Sequence, residues 1–481
     1  MSILEQYEPK EPLKYFEEIC SIPHGSGNVK QISDYLVKFA KEHALEVHQD
    51  ELLNVIIIKE ATPGYEEAEP VIIQGHMDMV CEKTLDSTID FEKDGLDLRT
   101  DGEWVWADKT TLGGDDGIAV AFAMAILAAK DLKHPRIEAV ITVDEEIGLL
   151  GAVGIDLSGL KGKKMINIDS EEEGIILTSC AGGLSLGGSI PVQTEEKSGV
   201  CYQVSFTGML GGHSGCEIHK EHANSNVIAG RVLYAASKKA ALHIAAMAGG
   251  SKDNAIPRHT EATVMIDGAD AAAFETALTE QNAILKKEYA TSDPDITVSF
   301  VKKAEERAQV LTRTSCDMVL NALMNLPNGV QAWSMDIENL VETSLNMGIM
   351  TLDTEKLSVR YAIRSSKESA KAYLTDRTIA MIENLGGTWD INGAYPGWEY
   401  KKDSKLRETF VEVYEELFGE KPLVQAIHAG LECGLLSDKI ENLDAVSIGP
   451  DMKDVHTYTE KLSIPSTKRT WDLIVKVLEA K

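Results

Sequence analysis

The sequence predicts an α/β fold, in which a mostly parallel sheet with helices on both faces forms one domain and a second α/β domain is inserted into it. The first third of the chain alternates apolar runs with helical patterns around 29–43 and 117–130, and this alternation is typical of a parallel sheet covered by helices. The runs lack polar alternation, as expected of strands that are buried on both faces. They are NVIIIK (54–59), PVIIQ (70–74), EAVITV (138–143) and MINI (165–168).

Two stretches rich in glycine or proline, near 181–199 and at 393–404, indicate where the inserted domain begins and ends. Between them, two strand–helix–strand patterns of similar length follow each other, from TEATVMI to ITVSFV and from KLSVRYAI to TWDING. Their similarity suggests an internal duplication. We therefore expect a discontinuous first domain, formed by 1–187 and 397–481, and an inserted domain, 188–396.

The composition excludes several classes of function. A chain of 481 residues exceeds one ordinary hydrophobic core, which favours two domains. The formal net charge of −30 argues against nucleic-acid or anionic-membrane partners, because both bind clustered Lys and Arg. No apolar run reaches the roughly 20 residues of a membrane span, and no signal-peptide pattern is found at the N-terminus. Seven scattered cysteines without a CxxC pair fit a reducing cytoplasm.

Acidic residues and histidines form five short clusters that are spread over almost the whole chain. Three clusters directly follow predicted strands, and the carboxyl ends of parallel strands form the ligand-binding edge of an open α/β sheet. Carboxylates and imidazoles that meet there suit one or two divalent metal ions, such as zinc or manganese. The candidate residues are His76 and Asp78 in QGHMDMV, Asp115 and Asp116 in LGGDDGIA, Glu145 and Glu146 in TVDEEIG, Asp169 in NIDSEE, and His456 in KDVHTYTE.

Each cluster alone also has a structural interpretation. The segment HMD could form a surface turn, and the aspartates of DD and NID could cap helices. One cap cannot explain both Glu145 and Glu146, and side chains of adjacent residues point apart on an extended backbone. We therefore expect one of these two residues to bind metal and the other to face water as a base.

The ordered series HMD, GGDDG, DEE, NID and DVH closely resembles the motifs of the dinuclear-zinc dipeptidase, tripeptidase and aminoacylase family, over essentially the whole chain. The chain length, GGDDGIAVA, GMLGGHSGCEIH and the large insert resemble those of the bacterial aminoacyl-histidine dipeptidases, also called carnosinase-like or cytosol non-specific dipeptidases. The resemblance implies a catalytic first domain with two divalent metal ions, zinc or alternatively cobalt or manganese. It also implies that 188–396 is a lid, and it favours a homodimer.

The resemblance gives each clustered residue a role. Glu145 would be the general base, and Asp78 would orient His76 by bonding its second nitrogen. A cis peptide bond is expected between Asp115 and Asp116. The metal ligands would be Asp115 as the bridge, His76 and Asp169 on one metal, and Glu146 and His456 on the other.

The resemblance also suggests substrate-binding residues outside the metal motifs. Their proposed tasks are to reach the substrate from the lid, to hold its carboxylate, or to line the pocket. They are His213 in GGHSG, Asn254 in DNAIPR, Arg364 in RYAIRSS with Arg360 as the alternative, and His428 and Glu432 in IHAGLECG.

The expected function is hydrolysis of unblocked dipeptides, including Xaa-His and β-alanyl-histidine types. Three alternatives stay open at this point. The same metal core serves N-acyl amino acid hydrolysis, two-metal phosphoesterases use similar ligands, and a non-catalytic binding protein could retain the fold. The acidic composition weighs against phosphoesters, and the intact Glu145 weighs against a non-catalytic role.

Overall fold

The computed structural model describes residues 2–480, and the chain divides into two compact units. Unit 2 comprises Ala181–Gly397 and Ile427–Gly430, and unit 1 comprises the rest of the described chain. The inserted segment thus begins at 181 where the sequence suggested 188, and ends at 397 where it suggested 396. Residues 427–430 join unit 2, although the sequence had assigned them to the first domain.

The helices include the two that the sequence predicts around 29–43 and 117–130. The helices are α1 (Lys10–Cys20), α2 (Lys30–Glu42), α3 (Gly114–Ala128), α4 (Leu150–Gly154), α5 (Ser225–Ser237), α6 (Ala271–Glu288), α7 (Arg313–Asn325), α8 (Glu368–Asn384), α9 (Lys405–Phe418), α10 (Glu432–Lys439) and α11 (Ile464–Glu479).

The strands up to the second unit are β1 (Glu46–Gln49), β2 (Val55–Lys59), β3 (Val71–His76), β4 (Leu98–Thr100), β5 (Trp104–Ala107), β6 (Ile137–Thr142), β7 (Lys164–Asn167) and β8 (Ile175–Cys180). The strands of the insert are β9 (Gly182–Pro191), β10 (Thr194–Thr207), β11 (Gly212–His213), β12 (Leu242–Gly249), β13 (Ala255–Ile256), β14 (Thr260–Ile266), β15 (Thr297–Leu311), β16 (Gly329–Trp333), β17 (Val341–Leu352), β18 (Lys356–Ser365) and β19 (Thr388–Tyr395). The remaining strands are β20 (Leu423–Ile427), β21 (Asp444–Ser447), β22 (Met452–Lys453) and β23 (Lys461–Ser463).

The main sheet of unit 1 has the order β1-β2-β6-β3-β7-β21-β8-β20. The four central strands, β6, β3, β7 and β21, pair in parallel, whereas β1, β2 and β8 pair antiparallel with their neighbours. The expected α/β architecture is confirmed, with parallel pairing confined to the centre. All six residues of β3 and of β6 are buried, which explains their continuous apolar runs.

The helix α3 lies in the core of unit 1. Its residues from Gly117 to Leu127 are all buried, as expected of a helix that is apolar around its whole circumference. It packs against α1 and β3, so that its N-terminal end lies beside the carboxyl end of β3. A second, four-stranded sheet of order β22-β23-β5-β4 holds the segment between β22 and β23.

The sheet of unit 2 reflects the duplication that the sequence suggests. Its order is β15-β10-β14-β12-β17-β18-β9-β19. The strand–helix–strand segments β14–α6–β15 and β18–α8–β19 lie on opposite sides of the β12–β17 pair. In the first segment the long strand β10 lies between β14 and β15, and in the second the long strand β9 lies between β18 and β19. The strand–helix–strand repeat is therefore a repeat of structure as well as of pattern.

Between residues 2 and 480, no helix combines the length and the apolar character needed to cross a membrane.

Candidate metal centre and substrate-binding residues

The site in unit 1 forms where the parallel strands end. In the register of the sheet, His76 at the end of β3 lies opposite Thr142 at the end of β6, and Gln74 lies opposite Asn167 at the end of β7. The polar residues that follow these strands therefore leave the sheet at one edge. This is the convergence that the sequence predicted from the position of the polar clusters directly after apolar runs.

Asp115 lies between two histidines. Its Oδ1 is 3.1 Å from Nε2 of His76, and its Oδ2 is 3.2 Å from Nε2 of His456. The same His456 nitrogen is 2.7 Å from Oε1 of Glu146. On the other side, Nε2 of His76 is 3.7 Å from Oδ1 of Asp169. The two oxygens of Asp115 thus face separate groups of donors.

These donors form sets that fit a metal ion. In each set, one potential ligand atom per residue lies within 4.8 Å of the others. Nitrogen and oxygen donors of this kind suit zinc, manganese or cobalt. The sets are His76–Asp116–Asp169, His76–Glu145–Glu146 and Asp115–Glu146–His456.

The electrostatics of the cluster also indicate a need for cations. Burial raises the pKa of Glu145 to about 9 and that of Asp169 to about 7; neighbouring carboxylates add to both shifts and His76 opposes them. Hydrogen bonds to Asp115 and Glu146 raise the pKa of His456 to about 11. Although burial acts in the other direction, hydrogen bonds from His456 and His76 hold the pKa of Asp115 below its ordinary value. A bound cation would stabilise these carboxylates in their ionised form.

Asp78 makes more contacts than the sequence suggested. Nδ1 of His76 lies 3.0 Å from the backbone carbonyl oxygen of Asp78 and 3.4 Å from its carboxylate. The Asp78 carboxylate also accepts hydrogen bonds from the backbone N–H groups of Glu145, at 3.0 Å, and Glu146, at 3.4 Å, and from the Ser26 hydroxyl, at 2.8 Å. Asp78 therefore supports both the histidine and the glutamate pair.

The expectation that Glu145 and Glu146 point apart is wrong. Both offer a carboxylate oxygen within 4.8 Å of the other and of His76. The strand β6 ends at Thr142, and Asp144 has a positive φ of 52°, so the backbone turns before the pair begins. The rule of alternating side chains applies to extended backbone only, and this segment is not extended.

The peptide bond between Asp115 and Asp116 is cis, as the resemblance implied. The Asp116 side chain is fully buried, and its Oδ2 accepts a hydrogen bond of 3.2 Å from the backbone N–H of His76. Both residues lie in the first turn assigned to α3, but neither has helical φ and ψ angles.

Glu432 lies in a buried hydrogen-bond network, where its side chain is fully excluded from solvent. Its Oε2 accepts hydrogen bonds from Nε2 of Gln74, at 2.5 Å, and from the Thr142 hydroxyl, at 2.6 Å. Gln74 in turn accepts one from Nδ2 of Asn167, at 2.6 Å. Gln74, Thr142 and Asn167 were not among the candidates predicted from the sequence, although polar residues inside otherwise apolar strands are a visible signal.

The other candidate substrate residues lie in unit 2. Asn254 and Arg364 line a cavity of about 380 Å³, together with Ser185 and Tyr395. Arg364 is largely buried and donates a hydrogen bond of 3.0 Å to the Tyr395 hydroxyl. Arg360, the alternative to Arg364, instead pairs with Asp390 at 3.0 Å. Of these two arginines only Arg364 lines the cavity, and its guanidinium has no carboxylate partner among the described contacts.

Two histidines of unit 2 lie near Arg364. Nε2 of His428 is 2.7 Å from the Ser344 hydroxyl. Burial, followed by the charge of Arg364, lowers the pKa of His428 to about 3. The same two causes lower the pKa of His213, which lies on β11 opposite Ala255. Both imidazoles are therefore held neutral next to an arginine.

Comparison with known proteins agrees with this architecture. Residues 204–293 match the family model of the peptidase dimerisation domain. The chain is 36% identical to the cytosol non-specific dipeptidase of Escherichia coli K12 over 481 residues, which is 100% of this chain and 99% of the relative. It superimposes on the crystal structure of the aminoacylhistidine dipeptidase from Vibrio alginolyticus with a TM-score of 0.95 and 37% identity, covering 99% and 98% of the two chains.

A more distant structure shares the fold. The aminopeptidase PepT from Bacillus cereus matches with a TM-score of 0.57 and 15% identity, covering 98% of each chain. The full-length identity to the Escherichia coli enzyme shows the family directly. This chain belongs to the M20 family of metallopeptidases, together with these dipeptidases.

Proposed function

We propose that this protein is a metal-dependent dipeptidase that hydrolyses unblocked dipeptides, with Xaa-His and β-alanyl-histidine dipeptides among its substrates. The observation that carries the proposal is the position of Asp115, whose two oxygens face His76 and His456 inside one acidic cluster. Full-length similarity to a cytosol non-specific dipeptidase and to an aminoacylhistidine dipeptidase supports the substrate class.

The donor set of unit 1 fits two divalent ions, and we propose zinc, for which carboxylate and imidazole donors are usual ligands. Cobalt or manganese are the alternatives. When bound, two such ions lower the pKa of water and polarise the scissile carbonyl. The residues that would hold them are Asp115 as the shared ligand, His76 and Asp169 on one side, and Glu146 and His456 on the other.

Glu145 is the proposed general base. It would take a proton from the attacking water and deliver it to the nitrogen of the leaving amine. Asp78 supports this role, because its carboxylate accepts a hydrogen bond from the backbone N–H of Glu145 and so fixes the backbone at this residue. Burial favours the protonated form of Glu145 and nearby positive charge favours the ionised form, which suits a group that must accept and return a proton.

Unit 2 would contribute residues that bind the substrate. We propose that Arg364 binds the C-terminal carboxylate of the dipeptide, because its charge lines a cavity and has no carboxylate partner among the described contacts. Asn254, on the same cavity, would bind the substrate backbone. His213 would donate a hydrogen bond to the oxyanion that develops at the scissile carbonyl.

His428 and Glu432 would act on other residues and not on the substrate. His428 is buried, hydrogen-bonded to Ser344 and close to Arg364, so it would help to keep the Arg364 side chain in position at the cavity. Glu432 is fully buried and orients Gln74 and Thr142 at the ends of β3 and β6.

We also propose a homodimer in the cytosol. The match to a peptidase dimerisation domain supports the first point, and the name of the Escherichia coli relative supports the second. Sedimentation equilibrium measures the dimer directly. Mixing His213→Ala and Glu145→Gln proteins then tests whether active sites are shared, because only shared sites would regain activity.

The substrate class is tested with purified protein on a panel of free, N-acylated, C-amidated and β-alanyl dipeptides, each with and without chelator. We expect chelator-sensitive cleavage of the free and β-alanyl dipeptides. Faster cleavage of N-acyl amino acids than of free dipeptides would instead make the protein an aminoacylase, and cleavage confined to phosphoesters would contradict peptide hydrolysis altogether.

A further inference from the structure

Glu460 is a buried carboxylate that no part of the proposed mechanism uses. It is 3% exposed and lies just before β23, in the segment between β22 and β23. Its Oε2 accepts hydrogen bonds from the backbone N–H groups of Leu112, at 2.8 Å, and Gly113, at 3.2 Å, and its Oε1 accepts one from Gly114, at 2.8 Å. Both carboxylate oxygens are thus directed at one short stretch of backbone.

That stretch leads directly to Asp115. Gly113 has a positive φ of 67°, and Asp115 and Asp116 depart from helical geometry, so the turn lacks the regular hydrogen bonds of a helix. A buried N–H group without an acceptor destabilises the fold. Glu460 supplies acceptors for three consecutive N–H groups and so fixes the backbone from which the Asp115 side chain departs.

The segment that carries Glu460 also carries His456. The chain turns tightly there: His456 has a positive φ of 64°, the N–H of Thr457 bonds the carbonyl of Asp454, and the N–H of Glu460 bonds the carbonyl of Thr457, both at 3.1 Å. One turn therefore presents an imidazole at His456 and a carboxylate at Glu460. The imidazole faces the Asp115 side chain, and the carboxylate binds the backbone just before it.

The buried location of Glu460 disfavours an ionised carboxylate, so we expect the residue to have a specific role. Burial is the main cause that raises its pKa to about 7, and the charge of Asp115 adds to this shift. The hydrogen bonds from the three backbone N–H groups act in the opposite direction. An apolar side chain would avoid the repulsion but would leave the turn before Asp115 without acceptors, and a neutral amide would offer only one acceptor oxygen.

We propose that Glu460 is a positioning residue that holds the turn before Asp115 against the turn that carries His456. It would thereby set the distances among Asp115, Glu146 and His456, the three residues of one proposed metal position. This inference rests on the proposed metal-dependent function. It predicts that Glu460 acts on metal binding through hydrogen bonds to the backbone, without ligating metal itself. Residues that orient metal ligands in this indirect way typically change metal affinity about 10- to 100-fold when they are replaced.

The chain offers a matched control in Glu138, on β6. It is also fully buried, and it accepts hydrogen bonds from the backbone N–H groups of Lys161, at 3.0 Å, and Gly162, at 2.9 Å. It differs in having an ion pair with Arg136 and in lying near the start of β6, at the opposite end of the strand from the site. Loss of Glu138 should destabilise unit 1 without disturbing any turn that carries a proposed metal ligand.

The experiment titrates Co²⁺ into metal-free wild-type, Glu460→Gln and Glu138→Gln proteins and follows the visible absorption, with unfolding temperatures measured in parallel. Glutamine keeps the size of the side chain but replaces one acceptor oxygen by an NH₂ group that meets a backbone N–H. We expect Glu460→Gln to weaken binding of Co²⁺ at least about 10-fold and to change the spectrum. Glu138→Gln should lose stability but titrate like wild type.

A second variant, Glu460→Asp, separates geometry from charge. It keeps the carboxylate but is too short to reach all three N–H groups, so we expect it to weaken Co²⁺ binding as well. Wild-type titration by both Glu460 variants would overturn the proposal. So would wild-type titration by Glu460→Asp alone, because charge would then be the cause, or equal losses in Glu460→Gln and Glu138→Gln, because general destabilisation would then suffice. If wild-type protein fails to bind Co²⁺, the proposed function fails instead.

Discussion

Unit 1 and unit 2 each contain a buried cluster of ionisable groups, and the two clusters have opposite electrostatic character. In unit 1, burial, with neighbouring carboxylates adding to it, raises the pKa of Glu145 to about 9 and that of Asp169 to about 7. In unit 2, burial and the charge of Arg364 lower the pKa of His428 to about 3, and the pKa of His213 is lowered too. Acids that resist ionisation are stabilised by a cation, and an arginine beside neutral imidazoles is stabilised by an anion.

The two clusters therefore suit ligands of opposite charge. The acidic cluster suits divalent metal ions, and the cationic cluster suits the carboxylate of a small substrate. A dipeptidase requires both. This contrast would fail if either cluster bound a ligand of the opposite kind.

Removal of metal should have the largest effect, because it takes away the ligand of the acidic cluster. We expect activity to fall to background after dialysis against a chelator and to return on addition of zinc, manganese or cobalt. The unfolding temperature should also fall, since a ligand that binds only the folded state stabilises it. Full activity in protein shown by elemental analysis to be metal-free would rule out the metal site.

Within the acidic cluster, Glu145 and Glu146 should differ in what their loss does. Glu145→Gln should lower kcat by about 10²- to 10⁴-fold with near-normal metal content, because it removes only the general base. Glu146→Gln should lose metal, because it removes a ligand beside His456. Steady-state kinetics with metal analysis of each variant measures both quantities. If Glu145→Gln loses metal and Glu146→Gln keeps it, the two roles are reversed.

In the cationic cluster, Arg364→Ala should lower kcat/KM on free dipeptides by about 10- to 150-fold, because a charge-assisted hydrogen-bonded pair is worth roughly 1.5–3 kcal/mol. Amidated dipeptides should show the same loss with wild-type enzyme and little further loss with the variant. Arg360→Ala is the control, since Arg360 is already paired with Asp390. Equal cleavage of free and amidated dipeptides by wild type would contradict the carboxylate-binding role.

The smallest effect concerns His428 and appears only on acidification. Because burial and Arg364 lower its pKa to about 3, the unfolded chain binds a proton at this residue between about pH 6.5 and pH 3 while the folded chain does not. Stability should therefore fall as the pH falls, and His428 alone should account for about 2 kcal/mol between pH 7 and pH 5. Denaturant titrations of metal-free protein at the two pH values measure this difference.

His428→Gln should remove that part of the pH dependence, because glutamine does not titrate. Ser344→Ala is the control: it removes the hydrogen-bond partner of His428 but keeps the imidazole next to Arg364 and His213, so the pH dependence should persist. An unchanged difference between pH 7 and pH 5 in His428→Gln would show that other groups cause it.

The residues alone predict the α/β class, the buried central strands and the edge of the sheet at which the polar clusters meet. The reason is local: β3, β6 and β7 carry apolar runs because both faces of the sheet are covered. Parallel strands then bring their carboxyl ends to one edge whatever the rest of the chain does. His76, Glu145 and Asp169 could therefore be grouped from their positions after apolar runs.

The arrangement of those side chains depends on contacts between distant segments and on local turns that the sequence does not reveal. The positive φ of Asp144 brings Glu145 and Glu146 together, which no extended-strand rule could foresee. Residues 427–430 join unit 2, and Glu432, two residues later, is buried in unit 1 against Gln74.

The hydrogen bonds between Glu460 and the turn before Asp115 join segments that are more than 340 residues apart in the sequence. Contacts of this kind leave no local pattern, because they depend on where distant segments pack and not on the residues beside them in the chain.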